Sequence, residues 1–424
     1  MYLFFVRHFN DIDHLTPVVW KMSKDIHPVV VYCMNPRYDH RGDYRLHFLK
    51  DQGVTVDYLY NNPLDRHGSK IHELLNYFVQ KAYTIQRGVQ SEAQAPPFYK
   101  KILGYSASRL GLFSYKLMRF GYFDMRWARS FLEKSGARAI CFDHIMPSLY
   151  VVDNLLKAAK EMSIPSFTLP HGVLLYTNEA TKPKSTDARR MAKFGKFDYI
   201  IVSNRQRRNL LVRSGISGKK IFVFGCARYS NEWLKENQRI VPRKIVPDKR
   251  DQRKLRVVFM PSKPQCQVNI IRLKATCDIL AEMANIDIMI KPHTRVGGEK
   301  YLFNGNRLQD ASHILTAELC EWADVLLVVG SSVITEALMR KKPVLYLKYL
   351  HANTTLFEEL GSCWTLNDEI ELKNALMSIQ TKKAVIPYNQ ASVLKYLKEV
   401  VYGGRSDTDV LGNYQNFIVS HAKK

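Results

Sequence analysis

The chain has 424 residues, of which 46% are hydrophobic and 11% aromatic, and this excludes a disordered or collagen-like protein. The length favours two or three domains. Lys and Arg number 63 against 39 Asp and Glu, a formal net charge of +24. A charge of this size indicates an anionic partner: a phosphorylated ligand, an anionic membrane surface or nucleic acid.

The positive charge is concentrated in the middle of the chain. Residues 101–300 hold 38 Lys and Arg against 16 Asp and Glu, whereas the rest of the chain holds 25 against 23. The densest block is 182–256, with 22 basic and 6 acidic residues. An ordinary solvated surface intersperses the two signs, so the block predicts a specific anionic surface or ligand.

Cysteine usage and hydropathy indicate a cytoplasmic protein. The seven Cys are odd in number and none has Cys-x-x-Cys spacing, which favours a reducing compartment. The first apolar run, Tyr2–Val6, is too short for a signal peptide. No uninterrupted apolar run reaches the roughly 18 residues of a membrane-spanning helix.

The first half of the chain alternates short apolar runs with helical periodicity, the pattern of βαβ units around a parallel sheet. Helices are predicted around 69–85, 107–134, 148–162 and 205–214. The predicted strands are Tyr2–Val6, Pro28–Cys33, Val54–Leu59, Ala139–Phe142, Pro165–Leu169, Tyr199–Val202 and Ile221–Phe224.

Residues 237–254, which are rich in charge and contain two prolines, are predicted to be a linker. The alternation then restarts, with helices predicted at 268–283 and 332–339. We therefore predict an α/β protein of two doubly wound, Rossmann-like domains, 1–236 and 255–424, that face a central cleft, with the last helix packing back on the first domain. The predicted strands of the second domain are Val257–Met260, Ile286–Ile290, His313–Leu315, Val325–Val329 and Val344–Leu347.

A ligand signal follows the strand Val325–Val329, where Gly330-Ser331-Ser332 leads directly into a helix. Gly330 allows close approach of a ligand, and the two serines offer hydroxyl and backbone donors for an anion. Glu336, one turn later, is a candidate acceptor for ribose hydroxyls. The alternative is that the serines only cap the helix and Glu336 is a solvated acid.

Two further loops follow strands of the same domain. One carries Lys291, His293 and Arg295, and the other carries Ser262 and Lys263. Each is also explained as an ordinary polar loop, but all three loops point to one sheet edge and together predict a site for a nucleotide diphosphate. The sequence contains neither Gly-x-Gly-x-x-Gly nor a Walker motif, which argues against a dinucleotide oxidoreductase or a P-loop NTPase.

This layout resembles a GT-B glycosyltransferase, and more narrowly the bacterial surface-polysaccharide transferases, including the CDP-glycerol glycerophosphotransferase and capsule-polysaccharide group. The resemblance covers roughly residues 165–350. Ala227, Asn231 and Thr294 depart from that group's Pro, Asp and Pro. The motifs that carry it are Pro170-His171-Gly172, Phe224–Asn231, Lys291-Pro292-His293 and Asp324–Pro343.

The resemblance implies that His171 is a catalytic base or a phosphate contact, and a His that follows a strand fits this role. The alternative is a structural His bonded to the backbone. Asp11, Asp13 and His14, in the loop after the first strand, are rival bases, and the alternative for Asp11 or Asp13 is a helix cap. Arg228, beside the linker, is expected to contact phosphate or to hold the domains together.

Other residues offer weaker candidates. Asp143 and His144 also follow a strand. Asp11-Ile12-Asp13 matches the Asp-x-Asp motif, which binds a metal and a diphosphate in another glycosyltransferase fold. The resemblance, however, places the nucleotide on the opposite domain and implies no metal and no cofactor. The Arg-rich segment 205–213 is either a lipid-facing helix or a solvated one.

The function predicted is transfer of a sugar from a CMP-, CDP- or UDP-linked donor to a growing, lipid-linked bacterial surface polysaccharide. The alternatives are a CDP-polyol phosphotransferase and a GT-B-like nucleotide-sugar epimerase. The basic patches are expected to bind the anionic inner face of the cell membrane. A nucleic-acid partner is disfavoured because no known RNA- or DNA-binding module is visible.

Overall fold

A computed structural model describes residues 1–36, 38–63, 70–90, 98–144, 146–177, 191–245, 254–262, 268–292, 307–381 and 386–424. Within these residues the chain forms two parallel sheets with helices between the strands, which confirms the predicted α/β class. The described helices include none long and apolar enough to span a bilayer.

The N-terminal sheet has seven strands in the order β3-β2-β1-β4-β5-β6-β7, all parallel. Its central strands Tyr2–Val6 and Ala139–Phe142 are apolar and buried throughout because helices cover both faces. The strands are β1 Tyr2–Val6, β2 Val29–Cys33, β3 Thr55–Tyr58, β4 Ala139–Phe142, β5 Ser166–Thr168, β6 Tyr199–Val202 and β7 Ile221–Val223. The helices are α1 Phe9–Lys24, α2 Tyr44–Asp51, α3 Lys70–Gln90, α4 Phe98–Tyr122, α5 Met125–Lys134, α6 Val152–Glu161, α7 Arg205–Arg213 and α8 Asn231–Ile240.

The C-terminal sheet has six parallel strands in the order β10-β9-β8-β11-β12-β13. The strands are β8 Leu255–Met260, β9 Ile286–Ile290, β10 Leu308–Asp310, β11 Val325–Val328, β12 Val344–Leu347 and β13 Trp364–Leu366. The helices are α9 Ile270–Glu282, α10 Thr316–Trp322, α11 Val333–Met339, α12 Leu356–Glu359, α13 Glu369–Gln380, α14 Gln390–Val400 and α15 Val410–His421.

The structure differs from the predicted elements in three places. His313–Leu315 is a turn and loop rather than a strand, and the strand lies earlier, at Leu308–Asp310. Its two polar residues are exposed, so β10 carries almost no apolar signal. β13 was not predicted, and the helix predicted over 107–134 is divided at Asp124, which caps α5 by accepting from the Trp127 amide.

The last helix packs against the N-terminal domain. Leu411, Tyr414 and Ile418 are buried in the same apolar core as β1 and β4. The Tyr414 hydroxyl donates to the carbonyl of Gly225 at 2.7 Å, and the Lys423 amide donates to the carbonyl of Arg138 at 2.8 Å. The chain therefore crosses between its two halves a second time near its C-terminal end.

Both sheets reverse their strand order at an equivalent place, between β1 and β4 and between β8 and β11. In doubly wound sheets this reversal opens a crevice outside the carboxyl ends of the strands, and ligands bind there. The loops that follow these four strands are therefore the first place to look for a site.

Candidate functional site

The N-terminal reversal point holds a compact cluster of ionisable side chains. Asp11 comes from the first turn of α1, Asp143 from the loop after β4, and His171 from the loop after β5. Nδ1 of His171 lies 2.7 Å from Oδ2 of Asp143 and 3.2 Å from Oδ1 of Asp11. Nε of Arg7 lies 2.7 Å from Oδ2 of Asp11, and its guanidinium also pairs with Asp143.

The two carboxylates are fully buried, and this sets their protonation. Burial raises the pKa of Asp143 to about 7, and the neighbouring Asp11 charge adds to the effect. Asp11 is also buried, but its contacts with His171, Arg7 and His8 hold its pKa below the usual range. Burial alone would lower the pKa of His171, yet contact with both carboxylates raises it to about 9. His171 is therefore an imidazolium at neutral pH.

His8 completes the cluster on its solvent side. Its Nδ1 lies 3.0 Å from Oδ1 of Asp11, and its ring meets that of His171 edge-on with centroids 5.4 Å apart. Ligand atoms of His8, Asp11 and His171 fall within 4.8 Å of one another, a spacing that metal sites also use. The Arg7 guanidinium also supplies positive charge to Asp11, so these residues form an ion-paired cluster.

His171 is the member of the cluster that lines a cavity. Its side chain is 29% exposed, while those of Asp11 and Asp143 are fully buried. It lines a cavity of ≈180 Å³ together with His144, Gly172 and Arg207. His144 stacks on Phe194, and its Nε2 lies 2.6 Å from Arg207. Arg207 of the Arg-rich helix α7 therefore lines this cavity.

The other two rival catalytic residues, Asp13 and His14, are not members of this cluster. Asp13 pairs with Arg45 at 2.7 Å and with Arg228 at 2.6 Å. Burial and nearby Arg228 lower the pKa of His14 to about 3, so this side chain is neutral. Asp13 lies at the contact between the domains, since its partner Arg228 also reaches Glu336 at 3.8 Å. Nδ1 of His14 lies 3.9 Å from Sγ of Cys226, and the ring interacts electrostatically with Asp11 and His171 as well as with Arg228.

The C-terminal reversal point is formed by the loop Gly330–Ser332 after β11 and by Ser262 after β8. The Ser262 hydroxyl donates to the carbonyl of Val329, which ties the two loops together. Gly330 has φ +57°, and a Cβ there would lie 2.8 Å from Oη of Tyr176. The Ser331 hydroxyl accepts from the amide of Val333 at 3.4 Å, and the Ser332 side chain caps nothing. The sequence predicted that a ligand approaches Gly330 closely; in the structure the Tyr176 side chain does so, and the loop also has a partial helix cap.

Other predicted donor-site residues have structural partners. Nζ of Lys291 donates to the carbonyls of Ser312 and Ile314, and burial lowers its pKa to about 8. Glu336 is buried, where it accepts from Arg340 at 3.2 Å and faces Arg228. The remaining predicted members, Lys263, His293 and Arg295, lie outside the described residues.

The two reversal points are linked by side chains that cross the cleft. Tyr176, five residues after His171, donates its hydroxyl to the carbonyl of Gly330 at 3.0 Å. Tyr229 donates to the carbonyl of Ser332 at 3.1 Å. His351 lies beside Gly330, and burial lowers its pKa to about 4. Tyr176 and His351 were not predicted, since a lone Tyr or His in a loop carries no recognisable pattern.

No family model matches the chain, and no curated protein matches it in sequence. Among solved structures, a UDP-GlcNAc 2-epimerase from Neisseria meningitidis bound to UDP-GlcNAc is similar over 99% of both chains, with 13% identity and a TM-score of 0.50. A putative UDP-N-acetylglucosamine 2-epimerase from Listeria monocytogenes is similar over 99% of this chain and 96% of its own, with 13% identity and a TM-score of 0.53.

A glycosyltransferase from Rickettsia africae covers 99% of this chain and 98% of its own, with 12% identity and a TM-score of 0.49. At these identities the similarity shows the fold alone. The protein has a GT-B-like fold, with two Rossmann-like domains on either side of a cleft, and the prediction of fold class is confirmed.

Proposed function

We propose that the protein is a metal-independent glycosyltransferase that takes a sugar from a nucleotide-activated donor. One observation carries the proposal: an imidazolium, His171, is held by two buried carboxylates where the N-terminal sheet reverses. The chain that follows it reaches Gly330 of the opposite domain through Tyr176. The nucleotide is assigned to the Gly330–Ser332 loop, and the acceptor to the His171 side of the cleft.

The protonation of His171 determines the role proposed for it. At neutral pH the ring carries a proton and a positive charge because Asp11 and Asp143 favour that form. A preformed cation at the cleft stabilises the negative charge that develops on the departing phosphate. His171 acts as a base only above its raised pKa, so we assign it the cationic role and leave Asp11 ion-paired behind it.

The polysaccharide acceptor and the membrane surface are also part of the proposal. The motifs around Pro170-His171-Gly172 and Lys291-Pro292-His293 support the bacterial surface-polysaccharide group. The +16 block at 182–256, from 22 basic and 6 acidic residues, supports an anionic surface or acceptor. A CDP-polyol phosphate donor is tested in the same assay as the sugar donors.

The test begins with ligand binding. A thermal-shift screen of CMP, CDP, UDP and GDP should show stabilisation by one of them, because a ligand that binds the native state raises its stability. With the matching donor, His171→Ala should lower transfer by at least about a hundredfold. His313→Ala, an exposed His outside the cluster, serves as the control. Absence of a shift with every nucleotide would contradict the proposal.

A second candidate is a nucleotide-sugar epimerase, which the same cluster favours for a different reason. Moving a proton at carbon requires one group that holds a proton and one that accepts it. His171 reaches the cavity and holds a proton, and Asp143 behind it, with a pKa raised to about 7, can take that proton from the ring, so the imidazole can alternate between proton donor and acceptor. Incubating the nucleotide sugar without acceptor separates the two functions: an epimerase interconverts the sugar, and a transferase leaves its configuration unchanged.

A further inference from the structure

The two helices α3 and α4 form an antiparallel hairpin on the N-terminal domain. The side of α4 that faces inward carries small or flexible residues at helical spacing, with Ala107, Ser114 and Met118 buried. These inward residues are the ones through which α4 packs against the rest of the protein. In an ordinary surface helix the opposite face is polar.

The outward face of the hairpin carries many large apolar residues instead. Of the 21 large hydrophobic residues that are exposed in the described chain, 12 lie between residues 71 and 120. Single exposed hydrophobic residues are normal, but a continuous group of this size marks an interaction surface. We call the following twelve residues the hairpin patch: Ile71, Leu74, Tyr77, Phe78, Tyr99, Ile102, Tyr105, Leu110, Leu112, Phe113, Leu117 and Phe120.

The charged residues of α4 are all basic, whereas α3 also carries Glu73 in its first turn. Lys116 lies three residues after Phe113 and four before Phe120, so all three share one helix face. The Arg109 guanidinium lies 4.8 Å from the ring centroid of Tyr105. Large apolar groups with basic residues along the same helix are typical of segments that lie in the headgroup region of a membrane.

We propose that the hairpin patch docks on an anionic lipid surface. A second copy of the chain fits less well, because a symmetric pair would bring Arg109 and Lys116 of both copies to one interface. An anionic surface attracts the same cations. The described helices cannot span a bilayer, so α4 lies in the interface rather than across it.

The position of the hairpin relates its docking on a lipid surface to the cluster around His171. The chain enters α3 from the carboxyl end of β3, and His171 and Asp143 follow strands of the same sheet at that edge. A docked hairpin therefore brings the His171 side of the cleft towards the lipid surface, where a lipid-linked acceptor resides. This orientation rests on the proposed function, whereas the docking itself does not.

The experiment measures co-sedimentation of the full chain with vesicles of 30 mol% phosphatidylglycerol in phosphatidylcholine. Phe113→Ser/Leu117→Ser/Phe120→Ser should bind at least tenfold more weakly than the original chain. The matched control, Ile271→Ser/Ile370→Ser/Leu394→Ser, removes equally exposed apolar residues elsewhere and should bind unchanged. Arg109→Gln/Lys116→Gln, which leaves the apolar groups in place, should also bind at least tenfold more weakly.

Three results would overturn the proposal: equal binding to pure phosphatidylcholine, equal loss in the control, or vesicle binding retained by both hairpin variants. A dimer in sedimentation equilibrium that dissociates in the triple hairpin variant, without vesicle binding by the original chain, would assign the patch to a second copy instead. The nucleotide thermal shift is measured on the same variants. Its retention in a chain that no longer binds vesicles shows that docking and nucleotide binding are separate.

Discussion

At the scale of single residues, the members of the cluster at the N-terminal reversal point differ in their access to the cavity. Asp11 and Asp143 are fully buried, and His171 alone extends into the cavity. Burying two acids is tolerated because Arg7 and His171 supply matching positive charge at hydrogen-bond distance. The carboxylates therefore position and charge His171 and do not themselves contact substrate.

The raised pKa of His171 predicts how activity depends on pH. If the imidazolium is the active form, the transfer rate falls as pH rises through about 9, where the ring loses its proton. Asp143→Asn removes a negative charge beside the ring, so the fall should move to lower pH. The measurement is the pH profile of kcat with both proteins. A rate that rises through this range would make His171 a base.

The Asp143→Asn variant also tests whether Asp143 positions His171 or only supports the fold. A residue that only supports the fold would lower the rate equally at every pH. Asp143→Asn is expected to change the shape of the profile, which a loss of folded protein cannot do. His144→Gln, in the same cavity but outside the cluster, should leave the shape unchanged.

At the scale of elements, the turn after β11 depends on a backbone conformation as well as on side chains. Gly330 has φ +57° and lies against Tyr176 and His351, so any side chain there meets two obstacles. One is the left-handed backbone, and the other is the lack of space across the cleft. The loop is thus fixed in position by the domain opposite.

Gly330→Ala should therefore destabilise the protein by more than the backbone conformation alone requires. Gly53→Ala is the matched control, because Gly53 has φ +79° with open space where a Cβ would be. The control should cost about 1 kcal/mol, and Gly330→Ala roughly twice as much. Urea unfolding of both variants measures this. Tyr176→Ala should relieve part of the Gly330→Ala cost, and equal costs for the two glycines would contradict the close approach.

Strands and loops differed in how far the sequence could predict them. Strands buried on both faces, such as Val325–Val328, carry an unmistakable aliphatic run, and most were placed within two residues. Edge strands such as Leu308–Asp310 bury one side chain and have no such run. In the site, His171 and Gly330 follow strands and were predicted. Tyr176 reaches Gly330 only through folding of the loop, which no local pattern encodes.

At the scale of the whole molecule, Arg228 joins the two halves of the cleft. It pairs with Asp13 of the N-terminal domain at 2.6 Å and faces Glu336 of the C-terminal domain at 3.8 Å. Asp13 is held in turn by Arg45, which is completely buried. The sequence left two roles open for Arg228, and its contacts support the one that holds the domains together.

Arg228→Ala should destabilise the protein by roughly 2–4 kcal/mol, because it leaves Asp13 and Glu336 buried with less positive charge. Arg239→Ala is the control, since Arg239 pairs with Glu236 on the surface, where solvent screens the pair, and its loss should have a much smaller effect on stability. Chemical denaturation followed by fluorescence gives both values. Equal effects would show that the contact across the cleft contributes little.

The return of α15 to the N-terminal domain has a consequence for biosynthesis. The ribosome releases β1 to β7 long before it makes Tyr414 and Phe417, which cover Phe222 and Phe224 at the edge of that sheet. Domains generally fold in order of synthesis, so the nascent first domain must wait with this apolar edge uncovered. A chain truncated before Val410 contains every strand of both sheets but lacks the helix that covers this apolar edge. We therefore expect it to fold poorly.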